Sequence, residues 1–505
     1  MGNERCAPPR ALRLEASARC WLLLCSALAA WACTPQVEQR PARPGSAELA
    51  LEPCRLEQVG RPALCGQLTV FEDRAARRGR TIDLFVAVLP ARSRDVQGDP
   101  LFLLAGGPGQ GATATFGAVL PLFEDLADRR DLVLVDMRGT GRSGPLRCDS
   151  HAGDLEWDLA EQSFSRLAAE CRPTLDADLS RYTTPVLADD LDDVRRALGY
   201  SRINLYGGSY GTRLALVYLR RHGEHVRSLV LDGVAPVDMS LPLSAAEDGQ
   251  RAFERLAADC AAEPACAEAY PELPRDLAEL LASLESHPEA VELRHPRTGE
   301  ALSLRIGRSA FAGVVQALLY STELSALLPL TVARAKAGDF APFVAQADLL
   351  SAEHGKLMSI GLLLSVVCTE DVDRAAARAA EAELGATFLR DDMVVDWARA
   401  CADWPRAELP AGYFEPIRSE RPTLVLSGDL DPITPARWGA AAAEHLPRST
   451  HLVVPAVGHG TIAHGCVSEL VAEFVDAASA ASLDRDCVDS IRRPPFFVNS
   501  AGPVP

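Results

Sequence analysis

The stretch INLYGGSYGTRLALVYLRR, residues 203–221, changes its period halfway along. Ahead of Ser209 the apolar residues are spaced as in a strand. Behind it they recur three and four apart, as on one face of a helix. Ser209 stands at the junction, with Gly207 and Gly208 before it and Gly211 after it. A strand that turns sharply into a helix forces unusual backbone angles on the residue at the bend, and the residues two positions away must be small. Such a turn presents a hydroxyl at the carboxyl edge of a sheet, above a helix N-terminus that favours negative charge. Ser209 is therefore a candidate nucleophile. The pattern G-x-S-x-G is short, and its weight comes from the strand–turn–helix setting.

Working outward, the same alternation repeats. GQLTVFE (66–72) and TIDLFVAVLP (81–90) read as strands joined by the basic turn DRAARRGR, and PLFLLAGGPG and RDLVLVDMRGTGRSG supply two more. The segment 184–200 is an amphipathic helix with Leu187, Leu191, Val194 and Leu198 on one face, and VRSLVLDGV follows the helix 210–221 as a strand. From about 237 to 415 the chain turns rich in Ala, Leu, Glu and Arg at helical spacing. The strand pattern returns in RPTLVLSGDLDP and THLVVPAVGHG, followed by the helix CVSELVAEFVDAASA. Strands alternating with helices imply a mostly parallel central sheet with helices on both faces. The expected fold class is α/β, with core segments 53–236 and 416–480, a helical insertion at 237–415 and a C-terminal tail at 481–505.

The 505-residue chain has a globular composition, 48% apolar and 24% charged, and a formal net charge of −18. That charge, with no basic stripe, argues against a nucleic-acid partner. Four arginines precede the twelve-residue apolar run WLLLCSALAAWA (21–32), which is too short to span a bilayer and suits a secretory signal over residues 1–32. Ala30 and Ala32 form a cleavage-like pattern before Cys33, a candidate lipidation site and the expected route to a membrane. Residues 33–52 then read as a Pro-rich tether. Beyond the signal, ten cysteines fall into neighbouring couples: 54/65, 148/171, 260/266, 368/401 and 466/487. An even count in an exported chain reads as disulfides, with local pairing the simplest arrangement, and the spacings do not suit zinc.

A serine hydroxyl needs a base, and the base an orienting acid. In this architecture they follow in the order Ser, Asp or Glu, His, each after a strand. LVLSGDLDPITP offers Asp431, held between prolines, with Asp429 as the fallback; LVVPAVGHG offers His459, with His464 the weaker competitor inside the last helix pattern. The glycine loop LLAGGPGQGA supplies the backbone N–H of Gly107, or of Gly106, as an oxyanion donor, and Tyr210 supplies the second. Nucleotide binding is disfavoured there because no Lys-Ser/Thr follows and Pro108 lacks an N–H.

At these residues the chain resembles the α/β-hydrolase serine aminopeptidases, meaning proline iminopeptidase and the exported tripeptidyl aminopeptidases. The resemblance rests on AGGPGQG (105–111), DMRGTGRSG (136–144), YGGSYGTR (206–213), GDLDPITP (428–435) and VGHG (457–460), in the expected order, and covers about 60–480. It implies an α/β-hydrolase fold, Ser209, Asp431 and His459 as the triad, and the insertion as a helical cap over the site. One position departs: proline iminopeptidases carry His-Gly-Gly-Pro-Gly, and Ala105 replaces that His, which argues against strict proline iminopeptidase specificity. In these relatives acids of the cap hold the substrate ammonium, and Glu370 and Asp371 in SVVCTEDVDR are the candidates. The same acids also suit the start of the helix DRAAARAAEAEL. The resulting expectation is an exported serine peptidase acting from the free N-terminus of peptides, without metal or cofactor. A carboxylesterase or lipase-like enzyme with the same triad and a non-catalytic lipoprotein are the alternatives.

Overall fold

The computed structural model describes residues 49–503, apart from residue 58 and the stretches 149–154, 156–158, 160–162 and 380–383. The signal, Cys33 and most of the tether lie outside the described residues. In chain order the strands are β1 (Glu52–Cys54), β2 (Ala63–Phe71), β3 (Thr81–Leu89), β4 (Leu101–Leu104), β5 (Leu132–Val135), β6 (Ile203–Gly208), β7 (Val226–Asp232), β8 (Glu289–Arg294), β9 (Ala301–Ile306), β10 (Thr423–Gly428) and β11 (Ser449–Val454). Nine of them form one sheet in the order β1-β2-β3-β5-β4-β6-β7-β10-β11. The first three pairings from the β1 edge are antiparallel, and every pairing from β5 to β11 is parallel.

Parallel strands covered on both faces have no solvent side to mark with polar residues, so they read as unbroken apolar runs. LFLL of β4 and LVLV of β5 are buried at every position. Phe102 and Leu104 join the apolar layer that holds the helices Thr184–Ala197 and Tyr210–His222; Leu101 and Leu103 join the opposite layer, with the helix Val467–Ala477. Because β4, β5, β6, β7, β10 and β11 run one way, the loops that follow them gather at one edge of the sheet.

Between β7 and β10 the chain forms a mainly helical region with its own apolar core, in which Phe311 and Phe343 stack at 4.6 Å. This region also contains the hairpin β8–β9, which the helical reading of the sequence did not include. The insertion does not pack as one layer, however. The helix Ile360–Glu370 and the segment around Trp397–Ile417 bury their apolar side chains against the main sheet's layer.

The ten cysteines of the described chain are joined in the five neighbouring couples. Cys466–Cys487 anchors the tail beside the helix Val467–Ala477, and from there the tail crosses to the cap. Phe496 is fully buried in the cap's core, the Phe497 N–H donates to the Ala326 carbonyl at 3.1 Å, and the Tyr270 hydroxyl donates to the Phe497 carbonyl at 2.9 Å. Arg493 pairs with Asp259 at 2.9 Å and lies over the Phe496 ring. Truncating a buried aromatic side chain removes its transfer free energy and leaves a cavity. Phe496→Ala should therefore cost about 3–5 kcal/mol, read as a lower melting temperature of the oxidised protein.

Candidate active site

Tight packing fixes the turn at Ser209. A Cβ at Gly207 would lie 2.4 Å from the Gly211 carbonyl oxygen, and a Cβ at Gly211 would lie 2.2 Å from the Leu104 carbonyl oxygen. The helix Tyr210–His222 thus starts directly against β4 and β6, and Ser209 between them adopts φ 56° and ψ −125°. A non-glycine residue in that region is strained, and such strain persists only where the surroundings over-determine it. The Ser209 N–H is held by the Asp232 carbonyl at 2.9 Å. Tyr210 opens the helix, so its N–H has no partner within the helix. The glycine loop after β4 passes alongside: a Cβ at Gly106 would lie 3.0 Å from the Ser209 Cβ.

Asp431 follows β10 and His459 follows β11, its parallel neighbour. The His459 Nδ1 lies 2.8 Å from Asp431 Oδ2. Asp431 also accepts the N–H groups of Ile433 and Thr434 and the Thr434 hydroxyl, at 2.9, 2.8 and 2.7 Å. With its own proton given to Asp431, the Thr434 oxygen, 3.0 Å from Nδ1, faces the ring as an acceptor. Nδ1 then carries the ring proton, and Nε2 is left as the basic nitrogen. Burial opposes ionisation of Asp431, but His459 and these donors outweigh it and hold the carboxyl below its ordinary range. Burial likewise disfavours the charged imidazole, and the Asp431 charge and hydrogen bond, with Asp232, outweigh that and raise the His459 pKa.

Ser209, Tyr210, Gly107 and His459 line one cavity of about 470 Å³. Its other walls are largely apolar and include Phe164, Met358 and Trp397. A larger groove of about 920 Å³ lies within the cap and touches none of the four. Neither Asp429 nor His464 lines the cavity beside Ser209, and Asp429 faces Arg255 at 3.8 Å.

Glu370 and Asp371 require a correction, for neither lines the cavity. Both are buried, and each carboxylate oxygen is engaged. Glu370 accepts from the Thr184 N–H and hydroxyl and from the Tyr413 hydroxyl; Asp371 accepts from Arg213 and Arg374. A sequence shows that such acids start a helix, but not that Arg213 and Thr184, more than 150 residues earlier, consume their charge. Other residues went unread. Thr434 stands three after Asp431, the spacing at which a turn threonine meets an aspartate. Asp232, at the end of β7, accepts the Thr461 N–H and hydroxyl and the Ile462 N–H, just beyond His459.

Two family models match the chain: the α/β hydrolase fold over residues 99–269, which includes Ser209, and TAP-like protein over residues 388–487, which includes Asp431 and His459. The chain is 28% identical over 464 residues to the serine protease Hip1 of Mycobacterium tuberculosis, covering 84% of this chain and 88% of that one. It is 27% identical over 483 residues to the tripeptidyl aminopeptidase of Streptomyces coelicolor, covering 88% and 87%. Carboxylesterase B of M. tuberculosis is 32% identical over 228 residues, covering 41% and 43%. The fold is that of the α/β hydrolases, and the resemblance to serine aminopeptidases stands.

The raised His459 pKa sets a pH limit. A base must be unprotonated, so kcat/KM should fall on acidification through a pKa above the ordinary histidine value of about 6.5. Asp431→Asn should lower kcat by roughly 10³–10⁴-fold with little change in KM. A pH–rate series and steady-state kinetics read both.

Proposed function

We propose that this chain, a serine peptidase-like α/β hydrolase, is an exported peptidase that releases short peptides from the free N-terminus of its substrates. Ser209 Oγ attacks the scissile carbonyl as His459 Nε2 takes its proton. The N–H groups of Gly107 and Tyr210 receive the oxyanion. His459 then protonates the leaving amine, and water, deprotonated by the same nitrogen, hydrolyses the acyl-enzyme.

The observation that carries this reading is the single cavity shared by Ser209, His459, Gly107 and Tyr210, with Asp431 2.8 Å behind the imidazole. Export is supported by five disulfides, which form and persist in oxidising compartments. Among the described residues no helix is long and apolar enough to cross a membrane. A lipid on Cys33 is the proposed attachment, and the mass of the mature N-terminal fragment tests it. The apolar walls beside Ser209 suit the acyl residue. In a released tripeptide the ammonium lies two residues further back, roughly 7 Å along an extended chain. A peptidase that reads the free N-terminus of a tripeptide would recognise the ammonium at about that distance from Ser209.

A carboxylesterase is the second reading, favoured by the 32% identity to carboxylesterase B over 228 residues. Three substrates separate them: a tripeptidyl anilide with a free amine, its N-acetylated form, and a short-chain ester. The peptidase should lose at least about tenfold in kcat/KM on acetylation, because acetylation removes the charged amine that an N-terminal reader recognises. Indifference to acetylation, with the ester preferred, would turn the assignment to the esterase. Fluorophosphonate labelling should be lost in Ser209→Ala.

A further inference from the structure

We propose that Thr322, in the cap, is a positioning residue for the catalytic base and that it works together with the backbone carbonyl of Tyr320; this rests on reading Ser209, Asp431 and His459 as the triad. His459 lies five residues beyond the end of β11, outside any ladder. The core holds the loop on either side of it. The Leu430 N–H donates to the Val457 carbonyl at 3.0 Å, and Asp232 takes the Thr461 N–H at 2.9 Å.

Two of the backbone donors in between, those of Gly458 and His459, turn to the cap. The Gly458 N–H donates to the Thr322 hydroxyl oxygen at 2.8 Å, and the His459 N–H donates to the Tyr320 carbonyl at 2.8 Å. The approach is close enough to demand glycine: a Cβ at position 458 would lie 2.4 Å from the Tyr320 oxygen. The Tyr320 ring stands edge-on to the imidazole, with centroids 5.2 Å apart and planes at 70°. Thr322 is itself fixed, since its carbonyl accepts the Ser325 hydroxyl at 2.8 Å. Further along, Ser325 and Ala326 are met by Arg493 and Phe497 of the tail.

The imidazole's place is therefore set from two sides. Asp431 fixes the ring through Nδ1, and the cap fixes the backbone that carries the ring. Thr322 touches neither substrate nor reacting atoms, so its effect must pass through His459. Replacing it by valine preserves shape and removes the acceptor. The Gly458 N–H is then unpaired, and the loop relaxes to find a new partner. Catalytic geometry tolerates little of this, because a shift of about 1 Å can cost roughly 100-fold in rate.

The test compares Thr322→Val, Thr322→Ser and Gly458→Ala with the wild type. It reads kcat and KM on the best of the three substrates above, and the rate of fluorophosphonate labelling at Ser209. Thr322→Val and Gly458→Ala should lower kcat about 10- to 100-fold and slow labelling in step, with KM within about threefold. Thr322→Ser, which keeps the oxygen, should stay near wild type. Full kcat in folded Thr322→Val, a loss carried by KM alone, or a serine variant as poor as the valine one would overturn the proposal. Should Thr322→Val not fold, Thr322→Ala, which also removes the hydroxyl, takes its place against Thr322→Ser. Wild-type protein that takes no probe at Ser209 would instead sink the triad reading itself.

Discussion

A carboxylate almost without solvent, Asp431, held 2.8 Å from an imidazole, is the contact around which the site is built. Burying a charge is costly unless it is paired and hydrogen-bonded. Asp431 has both kinds of partner, with three donors from its own turn and His459 opposite. The parallel pairing of β10 with β11, in which Gly428 lies beside Val454, brings the two loops out side by side. Two strands away from β10, across β7, β6 delivers Ser209 to the same edge. The sheet thus supplies coarse position, and local hydrogen bonds supply the final orientation.

This division explains what could be read in advance. The parallel strands were visible because burial on both faces leaves LFLL, LVLV and the LVL of TLVLSG as unbroken apolar runs. The nucleophile turn was visible because Gly207 and Gly211 sit where another backbone occupies the space of a side chain. The order of Ser209, Asp431 and His459 followed from that topology. Glu370 and Asp371 were misread because their fate is decided by Arg213 and Thr184, brought there only by folding. Tyr320 and Thr322 left no trace in the sequence for a related reason. They act on the loop at 458–459 through one carbonyl and one hydroxyl, and neither has a spacing to recognise. The hairpin β8–β9 carries a strand signal, since Leu302, Leu304 and Ile306 alternate with exposed positions, but the stretch is short and the long helical patterns that flank it masked it.

The cap is usually thought of as a cover, yet here it completes the edge of the sheet. Its residues meet all three loops around the nucleophile. Ser359 donates its N–H to the Gly109 carbonyl at 2.9 Å, in the glycine loop, and Gln316 donates to the Pro432 carbonyl at 3.2 Å, next to Asp431. Tyr320 and Thr322 take the loop that carries His459. Each of these contacts is made to a backbone atom of a loop, so the cap holds the main chain of the loops. The tail ties the two together as well, for it leaves the core at the disulfide of Cys487 and buries Phe496 in the cap's apolar centre.

Arg213 shows what this closure demands of the nucleophile helix. It lies one turn after Ser209, and its guanidinium binds Asp371 together with the carbonyls of Pro236 and Met239, where the chain leaves the core for the cap. Burial alone would lower its pKa; Asp371, Tyr413 and Glu370 outweigh that and keep the group charged. Breaking a buried pair by deleting one partner typically costs about 3–5 kcal/mol, because the other charge is stranded. Exchanging the whole network for apolar residues need not cost stability, so stability alone does not explain why charges are used here. Charges offer direction instead: a guanidinium with fixed acceptors sets the angle between the helix that presents Ser209 and the helix Ile360–Glu370, whose Val367 faces the cavity. An apolar contact of the same volume would hold the two together without fixing how they are turned, and both helices line the cavity beside Ser209.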